Sequence, residues 1–173
     1  MENNIKNCIM DFLELINKYE QEINGNIFNQ NKNTNDKEID IFKKWLLQYY
    51  EKDCYEYIDV IKIINGFTFN TVSIYSLNVN CLYNIYKSNE TLWNDNKKLR
   101  QYIFFATDEE ISLYGLNIKN RKYCRLDIIS NNILEEYETF NELMLRILEV
   151  SLYTGDSGFD EEYEKIKRKY NIL

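Results

Sequence analysis

Twenty-eight carboxylates and not one histidine define the chemistry open to this 173-residue chain. Histidine is the commonest general acid or base near neutral pH and the commonest metal ligand, so its absence closes off most familiar catalytic mechanisms. Cys8, Cys54, Cys81 and Cys124 are scattered without CxxC spacing, which argues against a zinc site, and a chain of this length needs no disulfide framework. As buried free thiols they are structural; as nucleophiles they would lack their usual activating base. Carboxylates alone remain, for example Glu109 with Glu135 as acid and base on a glycoside. Nothing in the sequence sets that pair at a productive separation. The expectation is a non-enzyme with no catalytic residue, no metal and no cofactor.

Charge placement says more than its total. Lys and Arg number 21 against 28 Asp and Glu, a net −7, yet the segment from Asn131 to Glu164 holds ten acids and the single base Arg146. The acids are Glu135, Glu136, Glu138, Glu142, Glu149, Asp156, Asp160, Glu161, Glu162 and Glu164, followed by the basic run Lys165, Lys167, Arg168 and Lys169. One reading is a solvated helix face plus a tail helix whose acidic start and basic end complement its dipole. The other is a negative surface that steers a basic partner, because clustered charge raises association rates. Nucleic acid is not expected as a ligand: Arg121, Lys122 and Arg125 form the best basic cluster, and strand spacing divides them between two faces.

Fifteen tyrosines supply the other contact chemistry, a large ring with a polar tip. Tyr114 and Tyr123 fall on the more polar sides of adjacent strand candidates, beside the acidic turn Asp108-Glu109-Glu110. The candidate partner-binding set is therefore Asp108, Glu109, Glu110, Tyr114, Tyr123, Glu135, Glu136 and Glu138.

These residues need elements to hold them. Ile5, Ile9, Phe12, Leu13, Ile16, Tyr19 and Ile23 form a helical stripe over 3–24, ended by Asn24-Gly25-Asn26. Asn35 with Glu38 predicts a capping box for a second helix with Ile39, Phe42, Trp45, Leu46 and Tyr49 inward. A third helix carries Cys54, Tyr57, Ile61 and Ile64 on one face, with Asp53 and Glu56 as its capping box. Asn65-Gly66 stops it, since both residues tolerate a left-handed backbone. Strand-like Phe67, Phe69, Val72, Ile74, Tyr75 and Leu77 follow. From Val79 to Asn96 a short helix presenting Leu82, Ile85 and Tyr86 competes with an irregular crossing.

Three strands then form an antiparallel meander. Tyr102–Ala106 is continuously apolar, as in a strand buried on both faces, and Thr107 to Glu110 makes a polar turn. Ile111, Leu113 and Gly115 alternate with Ser112 and Tyr114, which predicts one wet face, and this strand is a possible edge for pairing between copies. Cys124, Leu126 and Ile128 alternate with Tyr123, Arg125 and Asp127. Thr139 and Glu142 open a helix striped by Phe140, Leu143, Met144, Ile147, Leu148 and Leu152. An acidic tail helix is expected over 156–171.

The run from Asp53 to Gly66 resembles the SUKH superfamily, the Smi/Knr-like domains that include many bacterial immunity proteins and a few eukaryotic regulators. The family signature starts with Leu-Pro, places an aromatic three residues after the proline, then two apolar residues, then Asn-Gly. Here these are Tyr57, Val60-Ile61 and Asn65-Gly66, with Asp53-Cys54 in place of Leu-Pro. Tyr102–Ala106, Leu113-Tyr114, the Leu126-Asp127 pair and Phe140 fall in the family's order, so the resemblance covers about 38–152. It implies one α+β domain over 1–173, with an antiparallel sheet of five to six strands packed by N-terminal and C-terminal helices.

The function so implied is that of an immunity protein, which neutralises a cognate polymorphic or contact-delivered toxin by stoichiometric occlusion. The acidic surface points to a basic toxin domain such as a nuclease. The alternative is a regulatory scaffold that holds partners without inhibiting them. No segment combines a basic start with a long apolar run, and none is long enough to span a bilayer, so a cytoplasmic monomer or weak dimer is expected.

Overall fold

The computed structural model describes residues 2–23, 34–63, 65–108, 111–152 and 160–171. In chain order they form α1 (Glu2–Ile23), α2 (Asp36–Leu46), α3 (Tyr55–Ile63), β1 (Phe67–Phe69), β2 (Val72–Ile74), α4 (Ile85–Asp95) and a 3₁₀ turn (Lys97–Gln101). Then come β3 (Tyr102–Asp108), β4 (Ser112–Asn117), β5 (Tyr123–Asp127), β6 (Ile133–Tyr137), α5 (Phe140–Leu152) and α6 (Asp160–Lys169). The fold is α+β. Its six strands make one antiparallel sheet in the order β1-β2-β3-β4-β5-β6, each beside its neighbour in sequence. No helix among the described residues is long and apolar enough to cross a membrane.

Local hydrogen-bonding chemistry starts the helices. The Asn35 side chain accepts from the Glu38 N–H while Glu38 accepts from the Asn35 N–H, so α2 opens with a complete capping box. Ile39, Phe42 and Leu46 are buried, Trp45 is half-buried, and Tyr49 lies past the helix end and is exposed. Thr139 and Glu142 form the equivalent box on α5, whose apolar stripe from Phe140 to Leu152 is buried. Each such side chain is worth roughly 1.5–3 kcal/mol, which ties α5 to the sheet. Glu56 departs from its expected role. It reaches 84 residues along the chain to accept from the Phe140 N–H at 3.0 Å, helping to cap α5, while Asp53 sits 4.0 Å from Lys43.

Asn65-Gly66 turns the chain from α3 into the sheet. Gly66 has φ +81°, and a Cβ there would lie 2.7 Å from Ser76 Cβ, so only glycine fits. Buried Asn65 holds the far side of the turn by accepting from the Leu77 N–H and the Ser76 hydroxyl. The Tyr57 hydroxyl donates to Tyr75 O at 2.8 Å, and its ring packs on Phe105 and Phe140, joining α3, β3 and α5 in one aromatic core.

One row crosses the whole sheet: Phe67, Ile74, Ala106, Tyr114, Arg125 and Glu135 are cross-strand partners in turn. The row begins in the apolar core and ends in charge under α5. This corrects the expected wet face of β4. All of β4 is buried, Tyr114 completely, because α5, some thirty residues later, roofs the side that Ser112 and Tyr114 occupy. Nor is β4 an edge, since β3 and β5 flank it. β3 also runs further than expected, through Thr107 and Asp108, both buried rather than in a polar turn.

The hard-to-read middle segment contains α4, which opens at Asn84 and leaves Leu82 outside it and exposed. β2 covers only the later part of β3, and α4 covers the rest. Buried Asn89 accepts from the Phe104 N–H at 2.7 Å and donates to Phe104 O at 2.8 Å, while Trp93 Nε1 donates to Tyr102 O at 2.9 Å. Side chains thus replace the missing strand partner. The expected stop at Asn24-Gly25-Asn26 and the tail residues before Asp160 lie outside the described residues.

Candidate binding groove

β6, α5 and α6 enclose a groove of about 600 Å³. Five glutamates line it, Glu135, Glu136, Glu138, Glu142 and Glu149, against the two cationic side chains Arg146 and Lys167. Tyr137, Leu145 and the stacked rings of Phe12 and Tyr163, 5.3 Å apart, supply its apolar surface.

A chain of alternating charges forms its wall. Arg125 reaches Glu135 at 3.5 Å; Arg146 bonds Glu135 at 3.2 Å and Glu149 at 2.7 Å; Lys167 meets Glu149 at 3.4 Å. Tyr137 donates to Glu135 at 2.7 Å, and Tyr163 donates to Glu149. Burial works against ionising Glu135, but the Tyr137 hydrogen bond and the Arg146 and Arg125 charges outweigh it and hold the carboxyl below its usual range. Glu149 is depressed in the same way: burial opposes, and bonds from Tyr163 and Arg146 with the Lys167 charge prevail. A general acid needs a carboxyl raised toward the working pH, so these two are suited to holding charge rather than donating protons.

Glu135, Glu136 and Glu138 all border the groove, but strand alternation turns them apart: Glu135 faces α5 through Arg146, while Glu136 and Glu138 meet Asn120 and Lys122. Tyr114, Asp108 and Tyr123 do not join them. Tyr114 is completely buried, with the Arg125 guanidinium 5.9 Å from its ring centre, and burial pushes its hydroxyl up to about 12. Asp108 is buried at the end of β3. Tyr123 is half-buried, its ring set edge-on to Phe140 and tilted against Phe105; burial, with Cys54 and Glu56 nearby, drives its hydroxyl well above the usual value. Each tyrosine was placed by strand alternation, and in each case a helix packed over the side presumed wet. Glu109 and Glu110 lie outside the described residues.

Sequence reasoning left Arg146, Glu149, Tyr163 and Lys167 out of the site. A signal existed: Arg146 is the lone base in the acidic segment, and Glu149 follows it at the i,i+3 spacing that sets both on one helix side. The basic trio is now accounted for, since Arg121 pairs with Glu51, Lys122 with Glu138 at 2.8 Å and Arg125 with Glu135. Among the described residues no group of three His, Cys, Asp or Glu is placed to hold a metal ion. A scan against protein-family models finds no match, and a search of curated proteins finds none either.

Proposed function

We propose that this chain is a SUKH-type immunity protein that binds a cognate bacterial toxin domain and occludes it stoichiometrically. The observation that carries the reading is the groove between β6, α5 and α6, where five glutamates outnumber two cations. The helix-to-hairpin turn at Asn65-Gly66 supports the family resemblance, and the six-strand antiparallel sheet agrees with the architecture that the resemblance implies. A carboxylate-rich surface attracts a basic partner over a Debye length, about 8 Å at physiological salt, and repels polyanions. A nuclease domain, basic because its own substrate is polyanionic, fits that chemistry. Glu136 and Glu138 are the exposed carboxylates best placed to meet it.

The test is co-expression with candidate basic toxin domains taken from the neighbouring genes, scoring survival and co-purification at low and high salt. Rescue with a tight complex whose association slows in salt supports the reading. Rescue without salt dependence keeps immunity but moves the interface off the groove. Neither rescue nor binding, with those domains shown to be toxic, favours a regulatory scaffold.

A further inference from the structure

β6 ends the sheet, and among the described residues no strand lies on its outer side. In an antiparallel ladder alternate residues aim their backbone N–H and C=O groups at opposite neighbours, so about half of those on β6 face outward. Such an edge is a template for another strand, and proteins usually blunt it. β6 is blunted only in part. A bulge interrupts its register between Glu135 and Ile133, yet Ile133 and Leu134 are 42% and 48% exposed, and Ile129 in the preceding turn is 86% exposed.

The charges on β6 select what can pair there. A second copy laid antiparallel about the middle of the strand would set Glu135 opposite Glu135, or Glu135 opposite Glu136. Like charges directly opposite destabilise a sheet. A strand carrying lysine or arginine meets no such barrier. Glu136 is exposed and accepts from Asn120 at 3.3 Å; Glu138 holds Lys122 in an exposed pair of the kind worth little, open to exchange. The groove glutamates continue the negative surface beside this edge.

We propose that β6 receives an extended basic segment of the protein partner as a seventh, antiparallel strand. Its backbone completes the outer ladder, its cations lie over Glu136 and Glu138 on one face of the sheet, and its alternate apolar residues fall on the other. This deepens the toxin-binding reading and rests on it. Main-chain pairing supplies the affinity in such a mode, and the charge pattern supplies the choice of partner.

The probe is a synthetic seven-residue peptide alternating lysine with valine, followed by amide hydrogen exchange and ¹H–¹⁵N NMR on the full chain. The expected result is slowed exchange and shifted amides at Ile133–Tyr137. The double charge reversal Glu136→Lys/Glu138→Lys should weaken binding at least tenfold with an unchanged urea midpoint. A peptide with glutamate in place of lysine, and one N-methylated along its pairing edge, should both fail. Protection elsewhere, equal binding of the glutamate peptide, or a concentration-dependent dimer through β6 would overturn the proposal. Toxin rescue by the chain without protection of β6 would likewise overturn it and leave immunity standing. Protection without rescue would keep the docking edge and remove the immunity reading.

Discussion

Replacing Asn89 by alanine isolates the most unusual joint in this fold. The side chain is fully buried and stands in for a strand, pairing with both the N–H and the C=O of Phe104 where β2 no longer reaches β3. Truncation leaves two buried backbone groups without partners, each costing about 1–3 kcal/mol. Alanine is the better helix former by about 0.6 kcal/mol, which offsets a small part of that loss. The net loss is therefore roughly 3 kcal/mol, a large share of the ~5–15 kcal/mol that stabilises a typical domain. At this chain length it corresponds to a melting point lower by about 6–12 °C. Urea unfolding followed by circular dichroism is the assay, with Glu90→Ala on the exposed side of α4 as the control, expected within about 0.5 kcal/mol of wild type. A loss for Asn89→Ala below about 1 kcal/mol, with an unchanged denaturant slope, would refute the reasoning. The strand substitute would then carry no net stability.

Gly66→Ala should destabilise by more than about 2 kcal/mol, since the left-handed backbone alone costs ~1–2 kcal/mol and the new Cβ also strikes Ser76; a urea midpoint near wild type would contradict this. Cys8, Cys54 and Cys124 are buried, and burial pushes each thiol up to about 12. A thiol reagent at pH 8 should therefore label one site per native chain, Cys81, and four in denaturant; fast labelling of a second site would show that the core opens. Glu135, Glu149 and Asp11 have carboxyls held below their usual values, so their contribution is full above the unfolded pKa values near 4 and is lost as pH falls through the folded ones. Stability should thus fall on acidification below about pH 4, less steeply in Glu149→Gln; equal pH slopes in urea titrations would exclude Glu149 as a contributor.

The parts of this fold written in local chemistry were legible. The capping boxes at Asn35/Glu38 and Thr139/Glu142 and the Asn65-Gly66 stop are decided within four residues, and all three stand in the structure. The Asp53/Glu56 pair has the same spacing but its glutamate serves another helix, a choice made by tertiary proximity to Phe140. α4 was hard to read because its inner face carries Asn89, a polar residue that breaks the apolar stripe in order to pair with a strand. β6 was obscured because Ile133-Leu134-Glu135-Glu136-Tyr137 has a bulge and no simple alternation. Of the groove's lining, Glu135, Glu136 and Glu138 were legible from charge density alone. Tyr114 was misplaced because alternation within a strand carries no information about a helix that arrives later in the chain.

The packing of α1 bears on how the protein is made. Its buried residues Cys8, Ile9, Phe12, Leu13 and Ile16 face mainly α5 and α6, and α5 begins about 120 residues after α1 ends. The meander between them can zip together hairpin by hairpin, each strand finding the one just synthesised. The first helix meets α3 only at its flank, through the Lys6–Asp59 pair, before its main partners are made. At about 5–20 residues per second it leaves the ribosome and then waits roughly 6–24 s with a greasy stripe uncovered. During that interval the uncovered stripe is the part of the nascent chain most open to aggregation, and slower translation lengthens the exposure.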